Sequence, residues 1–442
     1  MIFNIIQKLT GWEASSTYKR VIGNTGWLMF DRILRMTIGL YVAVWVARSL
    51  GPDQFGLLNY ALALTAILSL LSTLGLEQII LRDLAKDPNK ANVTLGTAAV
   101  LRLSGALFSL LFSVLIVYLL RPGEYLTLMI VGIIAFSVFF QSSDIIDLFF
   151  KAQVNSKYPV VAKSIAFIIV SLFKIVLIIS NASLVTFAVA SLAEIVLGAL
   201  GLFIAYRIAG NNIAEWKFSI ERAKELLNES WPLLLSGIAI LVYMRIDQLM
   251  LGQMIGDTSV GFYSAALKLS EVWYAVPVAI MNSATPLLTQ TFSNDLKQYH
   301  FRLQKLFNLM TLMGLVLALP TTFLAPYIIK IIYGEEFIAS ASILSIHIWS
   351  FVFVGWGLLK DMILVTQSMA KIILLTTITG ALCNVILNYF LIPAYQGNGA
   401  AMATLISQLI SVSIVLLFVK QTKIFVGMQL KSLFKFYDVI PK

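Results

Sequence analysis

Arginines stand where this chain is otherwise apolar, and they are the residues most able to do chemistry. Arg32 and Arg35 lie about a third of the way into one long apolar run, and Arg245 lies near the middle of another. A guanidinium stays charged at any working pH, and its planar fork matches phosphate or carboxylate oxygens two at a time. A charge at mid-membrane costs roughly 2.5–3.5 kcal/mol on insertion scales, so each one needs a partner, water or a ligand. Asp31 precedes Arg35 by one helical turn and can pair with it, which leaves Arg32 as the surplus charge. Asp247 follows Arg245 by two residues and points to another side. Arg32, Arg35 and Arg245 are therefore the expected substrate-binding residues of a cationic cavity, suited to an anionic, phosphate-bearing ligand. Glu194, Asp144, Asp147 and Asp31 are the candidates for holding a coupling ion or proton. The plainer alternative is that such charges neutralise one another between helices, as Lys268 with Glu271, Asp147 with Lys151 and Lys360 with Asp361 are placed to do.

The elements that must position these groups are membrane helices. Of 442 residues, 59% are hydrophobic and 12% charged, too apolar for a soluble chain of this length. A span needs roughly 20 apolar residues, and twelve are expected, near 22–48, 55–77, 94–119, 125–150, 159–180, 184–207, 231–255, 260–288, 305–325, 338–366, 370–392 and 398–420. The runs are long and continuously apolar, which excludes the alternating strands of a membrane barrel. The net charge of +10 does not point to nucleic acid. With both ends in the cytoplasm, Arg48, Arg121 and Lys330 face outward while the other basic residues between spans face inward. A bacterial or archaeal plasma membrane is the expected location, with membrane lipids as neighbours. Cys383 is alone, and His300 and His347 are far apart, so neither a disulfide, a metal site nor a cofactor is expected. Residues 1–21 show no signal-peptide cleavage site and could lie on the inner surface as a short helix.

The spans repeat. Asn24-Thr-Gly-Trp27 opens the first and Asn228-Glu-Ser-Trp231 the seventh; Gly51-Pro-Asp-Gln-Phe-Gly56 is matched by Gly256-Asp-Thr-Ser-Val-Gly261. Gln153 and Lys157 recur as Gln367 and Lys371. The expected architecture is all-α: an N-lobe (22–207) and a C-lobe (231–420), six helices each, related by rotation about the membrane normal and enclosing a central cavity. A polar linker (208–230) joins them and a basic tail (421–442) follows. Within the linker, Ser219 is placed to cap a short amphipathic helix. Pro232 stands at the start of the seventh span, and Pro277 should bend the eighth. Parallel duplicated halves suit a transporter that opens to each side in turn. Outer loops are short, which leaves no room for an extracytoplasmic catalytic domain.

Leu50-Gly-Pro-Asp-Gln-Phe-Gly56, Gly75-Leu76 with Arg82, and Asp247-Gln-Leu-Met-Leu-Gly252 running into Gly261-Phe-Tyr-Ser-Ala-Ala266 are similar to the polysaccharide transporter (O-antigen flippase) family. So is Leu391-Ile-Pro-Ala-Tyr-Gln-Gly-Asn-Gly-Ala-Ala-Met-Ala403. The resemblance covers about residues 20–420 and places the chain in the multidrug/oligosaccharidyl-lipid/polysaccharide exporter superfamily. It implies translocation of undecaprenyl-diphosphate-linked oligosaccharide from the inner to the outer leaflet, beside a polymerase and glycosyltransferases of the same pathway. Cationic cavities are typical of relatives, which fits Arg32, Arg35 and Arg245. The first two have apolar or small counterparts near Ser236–Ile240, so the expected site is asymmetric. Two other functions compete. A multidrug/cation antiporter would place acids rather than arginines at its site, and Asp31 and Glu194 keep it open. A membrane-embedded oligosaccharide polymerase or ligase would need a sizeable outer loop.

Overall fold

Long apolar runs without strand periodicity fold here as helices, because a backbone in hydrocarbon must satisfy its own N–H and C=O groups. The computed structural model describes residues 16–435, with side chains from residue 23, and contains no strand among them. The N-terminal surface helix expected within residues 1–21 and the last residues of the basic tail lie outside this description.

Helix α1 (Ser16–Thr73) is followed by α2 (Glu77–Lys86), α3 (Ala91–Leu120), α4 (Tyr125–Gln141), α5 (Asp144–Ala152), α6 (Lys157–Ile179) and α7 (Leu184–Ile208). The second half has α8 (Ile220–Met254), α9 (Asp257–Glu271), α10 (Ala275–Asn294), α11 (Leu296–Ile332), α12 (Ser340–His347), α13 (Ser350–Thr366), α14 (Ala370–Leu409) and α15 (Lys423–Phe434). Among the described residues, nine helical stretches are long and apolar enough to cross a membrane. Two of these are double, since α1 is interrupted at Gly51 and α14 at Gln396. The pair α9–α10 supplies one more, broken by a 3-10 turn at Val272–Tyr274. Nine, two and one account for the twelve expected spans.

The break in the eighth span has its cause in Pro277, the third residue of α10. Its ring clashes with the carbonyl four residues back, at Trp273, and it offers no N–H in return. The interruption therefore falls just before the proline. Pro232 behaves otherwise. Ser219 Oγ accepts from the Arg222 amide at 3.2 Å, the expected cap, but the linker helix does not stop: it runs on as α8, so Pro232 lies inside a helix rather than at its start.

The duplication is visible in the backbone. Left-handed residues recur in register: Gly51 with Gly256, Gly123 with Gly334, Val154 with Ser368, and Asn181 with Gln396. Their separations are 205, 211, 214 and 215 residues, so the offset grows smoothly along the repeat. Helices α4 and α5, broken between Gln141 and Asp144, correspond in order to α12 and α13, broken between His347 and Ser350.

The described residues form two compact units. The first joins the part of α1 up to Ala43 to Leu68–Leu235; the second joins Val44–Ile67 to the chain from Ser236 onward. In the first, Ile79, Ile80, Leu95, Ile146, Phe150, Tyr206 and Leu226 meet in one apolar cluster. The linker is stitched to this unit: Lys217 N donates to Asn92 O at 3.1 Å, Ser219 N to Thr97 Oγ1 at 3.1 Å, and Trp216 Nε1 to Tyr206 Oη at 3.1 Å. Arg82 pairs with Glu229, and Arg222 with Asp83.

In the second unit the two glycine motifs pack on each other. A Cβ on Gly56 would lie 1.7 Å from the Asp257 carbonyl oxygen, and one on Gly261 would lie 2.0 Å from that of Pro52. Asp53 accepts from Thr258 at 3.0 Å, and Tyr60 Oη from Gln253 at 3.0 Å, beside this contact. The repeated Gly-x4-Gly is thus a reciprocal seat, each motif supplying the bare backbone against which the other rests. In the same unit, α15 docks through Phe425 and Met428 beside Leu303 and Phe307. Its Gln429 amide donates at 2.9 Å to Val412 O, within the π-turn Ile410–Ile414, where the usual carbonyl pairing is interrupted.

A topology prediction follows from the charge distribution. Single cysteines in a Cys383→Ala background should label from the cytoplasmic side at positions 217 and 305 and from the outside at 53, 124 and 335. Outside labelling at position 217 would contradict the orientation.

Candidate functional site

The first unit gathers seven charged side chains around one cavity of about 320 Å³. Its wall includes Asp31 and Arg35 from α1, Asp144, Asp147 and Lys151 from α5, Lys163 from α6 and Glu194 from α7. Arg35 Nε is 2.9 Å from Asp31 Oδ1, as the one-turn spacing requires, and Arg35 Nη1 is 3.6 Å from Glu194 Oε1. Its guanidinium also lies over the Phe167 ring, 5.0 Å from the centroid. Glu194 is shared with Lys174 at 3.3 Å, and Asp31 accepts from Ser164 at 3.0 Å. A second group centres on Lys163, 2.8 Å from both Asp144 and Asp147, with Lys151 3.2 Å from Asp147.

All four coupling candidates therefore share one cavity with Arg35, balanced by Arg35, Lys151, Lys163 and Lys174. Pairing within the unit offsets the cost of holding each charge at depth. Arg32, one residue from Asp31, is exposed on another face of α1 and has no ion pair among the described residues. Lys163 escaped the sequence reading because it falls at the edge of the span beginning near 159, where a lysine normally reaches the interface; its partners lie sixteen and nineteen residues earlier, beyond any same-helix spacing.

The second unit holds Arg245. Its Nη1 is 3.7 Å from Glu271 Oε2 across α8 and α9, both side chains part-buried. Glu271 thus faces Arg245; Lys268, its expected i,i+3 partner, also has its ammonium over the Phe55 ring at 4.8 Å. Lys360 lies 3.1 Å from Asp361, as expected, and also donates to Thr376 Oγ1 at 2.9 Å.

One residue matters more than its sequence context suggested. Asp247 is buried and receives three hydrogen bonds: Tyr263 Oη at 2.6 Å, Thr404 Oγ1 at 2.6 Å and Asn388 Nδ2 at 2.5 Å. Asn388 in turn donates to Asn384 Oδ1 at 3.1 Å. No cation is paired with Asp247 among the described salt bridges. The three donors compensate part of the cost of burying the carboxylate, and the oxygens of Asp247, Asn384, Asn388 and Thr404 are of the kind that a hard cation takes as ligands. The signal in sequence was the Asn384/Asn388 pair at i,i+4 inside an apolar span, which becomes informative only when three helices are brought together.

Long apolar helices in duplicated order, with ion pairs and a buried carboxylate inside them, define an all-α polytopic membrane fold. The comparisons specify it. Residues 21–292 match the family model "Polysaccharide biosynthesis protein", and residues 232–390 match the MatE model. The chain belongs to the polysaccharide biosynthesis protein family. The capsular polysaccharide biosynthesis protein CapF of Staphylococcus aureus is 21% identical over 400 residues, 88% of this chain and 97% of the relative. Among solved structures, the lipid II flippase MurJ in an inward closed conformation superposes with a TM-score of 0.69 at 18% identity, over 95% of this chain and 94% of that one. An inward-facing multidrug resistance MATE transporter gives a TM-score of 0.68 at 13% identity, over 92% and 95% of the two chains. At these identities the structural neighbours establish the fold.

Proposed function

We propose that this protein flips a polyprenyl-diphosphate-linked oligosaccharide from the inner to the outer leaflet for surface polysaccharide assembly. Its membership of a polysaccharide biosynthesis family with a transporter fold carries the reading. The physical task is clear. A prenyl tail can stay in lipid, but a diphosphate and sugars cannot cross hydrocarbon unsolvated. Cationic groups at depth, Arg32 and Arg245 foremost, would receive the diphosphate, while Arg35 is held by Asp31 and Glu194 and would contribute as part of that cluster. Alternating exposure of the site to the two leaflets would then move the head group, with the ligand favouring whichever state it binds better. Either carboxylate group, the Asp31–Glu194–Asp144–Asp147 cavity or Asp247, supplies a place for a coupling proton or cation.

Lipid-linked donor made by glycosyltransferases would be the substrate, and a polymerase acting outside would consume the product. Deleting the gene should remove surface polysaccharide and accumulate lipid-linked oligosaccharide in the inner leaflet, with unchanged susceptibility to amphipathic cations. Normal surface polysaccharide with raised drug sensitivity would favour the antiporter instead.

A further inference from the structure

Within the second unit, a cavity of about 350 Å³ opens beside α8, which carries both Arg245 and Asp247. It is of ordinary small-ligand size. Arg245 is not part of its wall but lies 3.7 Å from Glu271, which is, so the cavity adjoins the place proposed for the diphosphate. Its wall has three carboxylates and one ammonium, but Glu271 is paired with Arg245 behind the wall, Asp361 with Lys360 within it, and Asp247 is satisfied by three hydrogen bonds. The wall is therefore polar and largely charge-paired, with no cation left over for an anion. Tyr243 and Tyr274 add ring surface to the same wall.

Two observations narrow the ligand. The Gln408 side chain reaches the wall, and its amide oxygen is buried without a hydrogen-bond donor among the described residues. A buried acceptor left open in this way calls for a ligand or solvent donor. The second is Lys360, only 5% exposed and held by Thr376 and Asp361. A fixed ammonium in the wall disfavours an organic cation, which the aromatic and acidic residues alone would suit. Ring surface for C–H faces, carboxylate and amide acceptors, and a fixed donor together match a polyol, which presents all three complementary features.

We propose that this cavity is a sugar pocket for the head group, taking a neutral pyranose near the diphosphate, with Gln408 and Asp361 as specificity-determining acceptors. The proposal rests on the flippase reading and deepens it. Lys360, the cation of the wall, is already paired with Asp361, so the pocket offers a uronate no free partner.

The test is binding of purified protein in nanodiscs to two carriers, bare undecaprenyl diphosphate and the same carrier bearing one neutral N-acetylhexosamine. Wild-type protein should bind the sugar-bearing carrier about tenfold more tightly, as expected from one or two added hydrogen bonds to charged or buried groups. Gln408→Leu should bring that ratio close to unity while leaving the Kd for the bare carrier and the melting temperature unchanged; Asp361→Asn should lower the ratio too, with a fall in melting temperature because it removes the carboxylate that holds Lys360. Equal binding of both carriers by the wild type, or an undiminished ratio in both variants, would overturn the sugar pocket. So would tight binding of tetraphenylphosphonium that is lost in Asp361→Asn, since the cavity would then be a cation site. Binding of neither carrier would overturn the flippase reading as well.

Discussion

Gly261→Ala is expected to destabilise the protein severely although it adds one methyl group. The new Cβ would stand 2.0 Å from the Pro52 carbonyl oxygen and 2.8 Å from its carbonyl carbon. Both are backbone atoms, so no rotamer change relieves the overlap, and the turn opened by Gly51 must move. Overpacking of a close contact costs typically 1–3 kcal/mol, and a backbone clash belongs at or above the upper end. Gly56→Ala should do the same, since its Cβ would meet Asp257 O at 1.7 Å and Gly261 N at 2.8 Å. Because both substitutions push apart the same pair of turns, the double variant should cost clearly less than the sum of the singles. Thermal unfolding of the four proteins in one detergent measures this. Strictly additive or negligible losses would show that the repeated glycines are not a reciprocal seat.

Asp247→Ala should be the other large effect. It removes the acceptor of three hydrogen bonds and strands the Tyr263, Thr404 and Asn388 donors in a buried site, each unpaired group costing on the order of 1–3 kcal/mol. Asp247→Asn keeps the shape and removes the charge, while turning one of the two acceptor oxygens into a donor. If the carboxylate holds a sodium ion, sodium should raise the wild-type melting temperature over choline at constant ionic strength, and Asp247→Asn should abolish the difference. If it holds a proton, the wild type should be indifferent to sodium but respond to pH, and Asp247→Asn should transport without pH dependence. Full transport by Asp247→Ala would remove Asp247 from coupling.

What the sequence disclosed depended on range. Span positions, the breaks at Gly51 and near Pro277, and the cap at Ser219 are local consequences of hydropathy, glycine and proline, and they were legible. The duplication was legible too, even where its geometry was hidden: Gln153 and Gln367 precede Val154 and Ser368, the paired left-handed residues that mark the same turn in each half. Asn181 and Gln396 gave no such signal, because a non-glycine residue with positive φ is set by the packing around it. Charge partners divided in the same way. Asp31 with Arg35 and Asp147 with Lys151 follow helical spacing, whereas Arg35 with Glu194, Lys163 with Asp144, and Arg245 with Glu271 require knowledge of which helices touch. Asp247 illustrates the limit, since its surroundings come from α8, α9 and both arms of α14.

The central claim is that this protein moves a lipid-linked oligosaccharide across the membrane using a cationic site, and reconstitution tests it most directly. Proteoliposomes carrying defined undecaprenyl-diphosphate-linked oligosaccharide would be assayed for exposure of the head group on each leaflet, alongside Arg245→Ala, Arg245→Lys and Arg32→Ala and their melting temperatures. The account predicts protein-dependent flipping by the wild type, loss in Arg245→Ala with the fold retained, a smaller loss in Arg32→Ala, and partial rescue by lysine, which restores charge but not the bidentate fork. Wild-type rates in Arg245→Ala and Arg32→Ala would contradict the cationic site, and no flipping by the wild type above empty vesicles would contradict the function.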